Sequence, residues 1–97
     1  MNINIMITHK NGRKQNLEIT QTDTVEKILE KFYNSINHTG TRYYLRKDVI
    51  FKMGDILLNE NQDSLKKTAN ELGIIDDDNF TWVEARTINA GKIVNFL

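Results

Sequence analysis

The stretch NINIMITHKNGRKQNLEIT, residues 2–20, together with VEKILEKF at residues 25–32, decides the fold. Ile3, Ile5 and Ile7 alternate with polar residues as far as Thr8, so they share one face of a half-buried strand. Lys10-Asn11-Gly12-Arg13 then spells a hairpin, because Asn-Gly supplies the positive φ angles that a tight turn requires. Gln15–Thr20 returns as a second strand with Leu17 and Ile19 facing inward. Thr22-Asp23-Thr24 offers N-cap oxygens, and Asp23 followed by Glu26 has the spacing of a capping pair. Behind it, Val25, Ile28, Leu29, Phe32 and Ile36 recur at helical spacing, while Glu26, Lys27, Glu30 and Lys31 face water. His38-Thr39-Gly40 ends this helix, with Gly40 as its stop.

A hairpin alone cannot bury such a helical stripe, and the remaining sequence supplies more strands. Thr41–Phe51 is rich in β-formers, with a bend or bulge at Lys47-Asp48. Met53-Gly54-Asp55 reads as a turn, Ile56–Leu58 as a short strand and Asn59–Ser64 as a polar loop. Leu65–Leu72 can form a short helix with Leu65, Ala69 and Leu72 on one face, closed by Gly73. After a turn at Asp76–Asn79, Phe80–Glu84 is a strand with Phe80 and Trp82 on one face and Thr81 and Val83 on the other. Residues 85–97 show no clear periodicity. The expectation is an α+β fold: a mixed sheet of 4–5 strands, one long helix across one face, and a short second helix. Ile5, Phe32 and Trp82 should meet beneath the long helix.

The 97 residues suit one domain, expected over residues 1–85 with a tail at 86–97. Thirteen Lys and Arg balance thirteen Asp and Glu, which argues against a nucleic-acid binder or an electrostatic membrane binder. Cysteine is absent, excluding disulfides, thiol nucleophiles and zinc–thiolate sites, and fitting a cytoplasmic or other reducing intracellular compartment. The first ten residues lack a continuous apolar run and do not read as a signal peptide, and no apolar run reaches the ~20 residues of a membrane span.

Three segments in this order resemble the ubiquitin-like (β-grasp) superfamily over about residues 1–85: the N-terminal hairpin, the helix motif V-x-x-I-L-x-x-F from Val25 to Phe32, and VIFKMGDILL at residues 49–58. Asn70-Glu-Leu-Gly-Ile-Ile75 before acidic residues is similar to the short helix preceding the closing strand in that superfamily, and to the E-L-G of its SUMO branch. The resemblance implies a β-grasp fold and a protein that acts on other proteins. Conjugated members and the related sulfur carriers end in a diglycine that threads an enzyme channel. Here that place holds Thr87-Ile-Asn-Ala-Gly91, followed by six further residues, so a modifier would need processing after Gly91.

No nucleophile elbow, phosphate loop, zinc-binding or dinucleotide fingerprint occurs, so the chain reads as non-enzymatic, and neither a cofactor nor a metal is implied. Asp76-Asp77-Asp78-Asn79 reads as a solvated turn, because four consecutive side chains cannot converge on one calcium ion. His9 and His38 read as hairpin-end or loop residues. The remaining class is surface binding to a protein partner, of unspecified oligomeric state. Phe51, Met53 and Val83, with the hairpin tip at Lys10-Asn11, are expected to form an apolar patch on the open sheet face. A groove between the second strand and the helix, lined by Asn16, Glu18, Lys27 and Lys31, could accept an extended peptide. Three functions remain open: a non-catalytic interaction module, a modifier processed at Gly91, and an accessory subunit of a bacterial multiprotein assembly. The apolar residues among Ile93–Leu97 are expected to dock rather than stay in water.

Overall fold

The computed structural model describes residues 2–36, 49–88 and 92–96, the last four of the second span and all of the third as backbone. The element order is β1 (Asn2–His9), β2 (Lys14–Thr20), α1 (Val25–Ser35), β3 (Val49–Met53), β4 (Ile56–Leu57), α2 (Gln62–Leu65), β5 (Asn79–Ile88) and β6 (Lys92–Phe96). The sheet runs β2-β1-β5-β3-β4, with β6 paired to β5. β1 and β5 are parallel at its centre, and the β1–β2, β3–β4 and β3–β5 pairs are antiparallel. This is the expected mixed sheet with a helix across one face.

Alternation sets the two faces. Ile3, Ile5 and Ile7 lie opposite Ile19, Leu17 and Gln15, and all three isoleucines are buried. The hairpin closes with His9 N–H donating to Arg13 O at 2.8 Å and Asn11 Oδ1 accepting from Arg13 N–H at 2.9 Å. Gly12 takes φ +88°, the positive φ the turn needs, while Asn11 keeps a negative φ and serves the turn through its side chain. α1 buries Val25, Ile28, Leu29, Phe32 and Tyr33 against the sheet. Phe32, Ile5 and Trp82 belong to one core cluster, with the Phe32 and Trp82 rings 5.2 Å apart.

Several local expectations are corrected. Thr24, not Asp23, caps α1, accepting from Lys27 N–H at 3.2 Å. Asp23 instead turns back, accepting from Thr20 N–H at 2.9 Å and from the Lys31 ammonium. The helix ends at Ser35, and the expected stop at Gly40, like the bend at Lys47-Asp48, lies outside the described residues. The second helix starts three residues earlier than expected and is short, because Asn61 Oδ1 caps Ser64 N–H at 2.9 Å. Beyond it the backbone is committed to another element. Lys67 O accepts from Val25 N–H at 2.9 Å, Ala69 N–H donates to Asp23 O at 2.8 Å, and Asn70 N–H donates to Gln21 O at 2.9 Å. A helix through Leu72 would forfeit these bonds.

β4 is only two residues long, and Asn59 completes its pairing to β3 with a side chain. Asn59 Nδ2 donates to Val49 O at 2.9 Å, and its Oδ1 accepts from Phe51 N–H at 3.1 Å. The acidic turn does similar work for β1. Asp76 Oδ1 accepts from Asn4 N–H at 2.9 Å, Asp77 N–H donates to Asn4 O at 2.8 Å, and Asp78 Oδ2 accepts from Ile75 N–H at 2.9 Å.

The C-terminal stretch carries structure that periodicity did not reveal. β5 runs to Ile88, and β6 folds back on it antiparallel, with Ala85 opposite Phe96 and Ile88 opposite Lys92. The backbone of the segment expected to dock, Ile93–Leu97, thus pairs with the chain's own β5 as far as Phe96, and Leu97 lies outside the described residues.

Candidate interaction surface

The face of the sheet opposite α1 is built by the residues that alternate with the core. In the register of β3 with β5, Phe51 stands opposite Trp82 and Ile50 opposite Val83. Trp82 packs beneath the helix, so Phe51 does too, and it is wholly buried. Its ring stacks on Phe80 at 5.4 Å with an interplanar angle of 15°. The expectation that Phe51 points outward is thus corrected by one residue of register: a strand's side chains alternate, and Ile50 takes the outer position. Met53, two residues on from Phe51, lies on the core face as well and packs partly buried against the cluster. Val83 is on the outer face, half-buried, as expected. Lys10 is exposed at the hairpin tip.

The outer face therefore carries Val83 and Ile50 side by side, with Lys52 between Thr81 and Leu57 in the adjacent row. Leu57 is 38% exposed, and Ile56 beyond it is 54% exposed. Ile50 and Leu57 were missed from the sequence. Lys52, the one polar residue of the strand, shares the outer face with Ile50, but with four apolar residues in five the strand's own pattern does not decide between its faces.

The peptide groove is not assembled as expected. Leu17 and Ile19 point to the core, so Asn16 and Glu18 point to the opposite face from the helix. Lys31 pairs with Asp23, and Lys27 lies 3.6 Å from Glu30. Gly91 lies outside the described residues. His9 is a hairpin-end residue, as expected, and it is more than that. It ends β1 on the core side, with its ring 5.5 Å from Phe32 and 5.7 Å from Trp82. Among the described residues, no group of three or more His, Cys, Asp or Glu could hold a metal ion, and no helix is long and apolar enough to cross a membrane.

With this geometry in place, comparison with solved structures defines the fold as ubiquitin-like β-grasp. The ubiquitin of Caldiarchaeum subterraneum superposes with a TM-score of 0.68 at 18% identity, covering 93% of this chain and 100% of the other. A ubiquitin-like domain of an Arabidopsis thaliana protein superposes with a TM-score of 0.66 at 20% identity, covering 94% of this chain and 84% of that one. A second determination of the Arabidopsis protein gives 0.67 at 19% identity, with 94% of each chain covered. No protein-family model matches the sequence, and no curated protein matches it.

Proposed function

We propose that this protein is a non-catalytic protein-interaction module that buries the outer face of its sheet, centred on Ile50 and Val83, against a protein partner. The observation that carries this reading is the registered Ile50–Val83 pair on the face away from α1, continued by the exposed Leu57. Apolar side chains grouped on a sheet face and bordered by lysines form the apolar centre and polar rim of a contact surface. Lys52 on β3 and Lys10 at the hairpin tip supply such a rim. The ubiquitin-like fold agrees with a role in binding proteins, and the balanced charge argues for a protein partner over nucleic acid or membrane. The backbone of Lys92–Phe96 is held in pairing with β5, which favours this reading over a modifier processed after Gly91.

The test is comparative capture from an extract of the source organism, using the parent, Ile50→Asp, Val83→Asp and the outer-face control Asn16→Asp. Loss of a central apolar anchor costs about 2 kcal/mol or more, roughly thirtyfold in affinity. The same captured proteins should be depleted by both apolar replacements and kept by the control. Equal capture by all four, with all four folded by circular dichroism, would refute the surface.

A further inference from the structure

The His9 ring occupies a slot between the hairpin, α1 and β5. Phe32 and Trp82 flank it at ring tilts of 54° and 74°. Tyr33 stands behind Trp82, its hydroxyl accepting from Trp82 Nε1 at 3.4 Å. His9 Nε2 is buried and has no hydrogen-bond partner. The Gln15 side-chain amide of β2 donates to Ser35 Oγ, which donates to Phe32 O at 2.6 Å. The ring contact of His9 with Phe32 and the Gln15–Ser35 bond thus tie the β1–β2 hairpin to the last turn of α1. Beside it opens a pocket of about 300 Å³ lined by His9, Lys10, Asn11, Trp82 and Glu84.

We propose that His9 is a proton-operated latch: protonation of its ring releases the hairpin tip, Lys10–Arg13, from the C-terminal turn of α1 and opens the adjacent pocket. In the neutral ring Nε2 can act as an acceptor, and burying its lone pair against ring edges is a mild defect. In the imidazolium Nε2 becomes a charged donor with no acceptor, in a slot walled by aromatic carbon. Cation–π attraction to Phe32 and Trp82 offsets only part of that cost. The charged and titratable groups around the slot reinforce the direction. Arg13 of the hairpin repels a cation, and Lys10 lines the adjacent pocket. Glu84 of β5, across the pocket, would accept from an imidazolium that has left the slot. α1 presents Phe32 and the neutral Tyr33 hydroxyl. Burial first, and Arg13 second, hold the His9 pKa below its ordinary 6.5, against the opposing influence of the Gln15 amide.

The sign follows from linkage. The open ring titrates near its ordinary value and the latched ring below it, so the open state binds more protons between the two midpoints. The opening equilibrium should rise as pH falls through that window, by at most about tenfold per pH unit, and be flat above and below it. The test is amide hydrogen exchange followed by NMR on the intact protein between pH 4.5 and 8, corrected for intrinsic exchange, alongside direct titration of the His9 ring carbons. His9 should titrate below 6.5. The amides of His9, Gly12 and Gln15 should gain exchange through that window, while those of Ala69 and Ile74, at the far side of the core, should not. His9→Phe keeps a ring in the slot and should abolish the window. Hairpin amides that stay unchanged while the parent His9 titrates would overturn the proposal, without recourse to any variant. So would an unaltered pH profile in His9→Phe, or a gain in exchange spread equally over Ala69 and Ile74.

Discussion

Replacing Phe51 with alanine tests the register that separates core from surface in β3. Phe51 has no exposed surface, its ring stacks on Phe80 at 5.4 Å, and it faces Trp82 across the strand pair. Truncating a buried phenylalanine costs about 3–5 kcal/mol, the transfer free energy of the ring plus the cavity it leaves. The stacked pair with Phe80 adds to the upper end of that range, since aromatic pairs are worth about 0.5–1.5 kcal/mol beyond their buried area. The backbone bond from Phe51 N–H to Asn59 Oδ1 is untouched, so no unpaired donor inflates the result. A domain of this size is stable by only about 5–15 kcal/mol, so the loss is a large fraction of the total. In urea, where small proteins show slopes of about 1–3 kcal/mol per molar, the midpoint should fall by at least about 1 M. The fluorescence of Trp82, the chain's single tryptophan and the registered neighbour of Phe51, reports the transition. Ile50→Ala, on the opposite face of the same strand, provides the internal comparison and should cost about 1 kcal/mol or less. If the two variants unfold at the same urea concentration, or if Ile50→Ala proves the more damaging, the assignment of faces is wrong and the proposed surface falls with it.

Other outcomes follow from single contacts. Asn59→Ala removes the acceptor of Phe51 N–H and the donor to Val49 O in a buried place, and should lower stability by about 2–4 kcal/mol in the same urea assay. Thr24→Ala should cost about 1 kcal/mol through loss of the cap to Lys27 N–H, whereas Glu26→Ala should change little; a larger effect at Glu26 in thermal melts would restore the capping pair read from the sequence. For Asp23, burial pushes the carboxyl upward, but the Lys31 ammonium and the Thr20 N–H outweigh it and hold the pKa below its usual value. Its contribution is therefore fully present above about pH 4, the unfolded value, and is lost as pH falls through the lower folded one. Melting temperatures of Asp23→Asn should accordingly show a shallower acid decline than those of the parent.

Local pattern was most informative where one periodicity governed a whole element. The isoleucines of β1, the Asn-Gly turn and the stripe from Val25 to Phe32 needed no knowledge of the rest of the chain, because each reflects a repeat of two or of about 3.6 residues. β3 was different. VIFKM holds four apolar residues in five, so alternation within it is nearly silent, and either face could have been the inner one. Its side was settled by the partner strand, where Phe51 meets Trp82 and Ile50 meets Val83. The second helix failed for a related reason. Leu65, Ala69 and Leu72 do all turn toward the core, but only Leu65 does so from the helix; Ala69 and Leu72 lie in the irregular segment beyond it, where the Ala69 and Asn70 amides bond the loop before α1.

Sequence by itself determined the class of fold, the hairpin, the helix with its buried stripe, and the exclusion of thiol and zinc–thiolate chemistry, since all of these depend on composition or on residues near one another in the chain. Tertiary structure alone decided which of Ile50 and Phe51 reaches solvent, that Asn59 stands in for a missing strand, that β6 returns to β5, and that His9 lies between Phe32 and Trp82. Each of these depends on pairing between residues far apart in sequence. The physical reason is that a side chain's surroundings are set by its neighbours in space. A one-residue change of register exchanges the two faces of a strand while leaving its local sequence untouched.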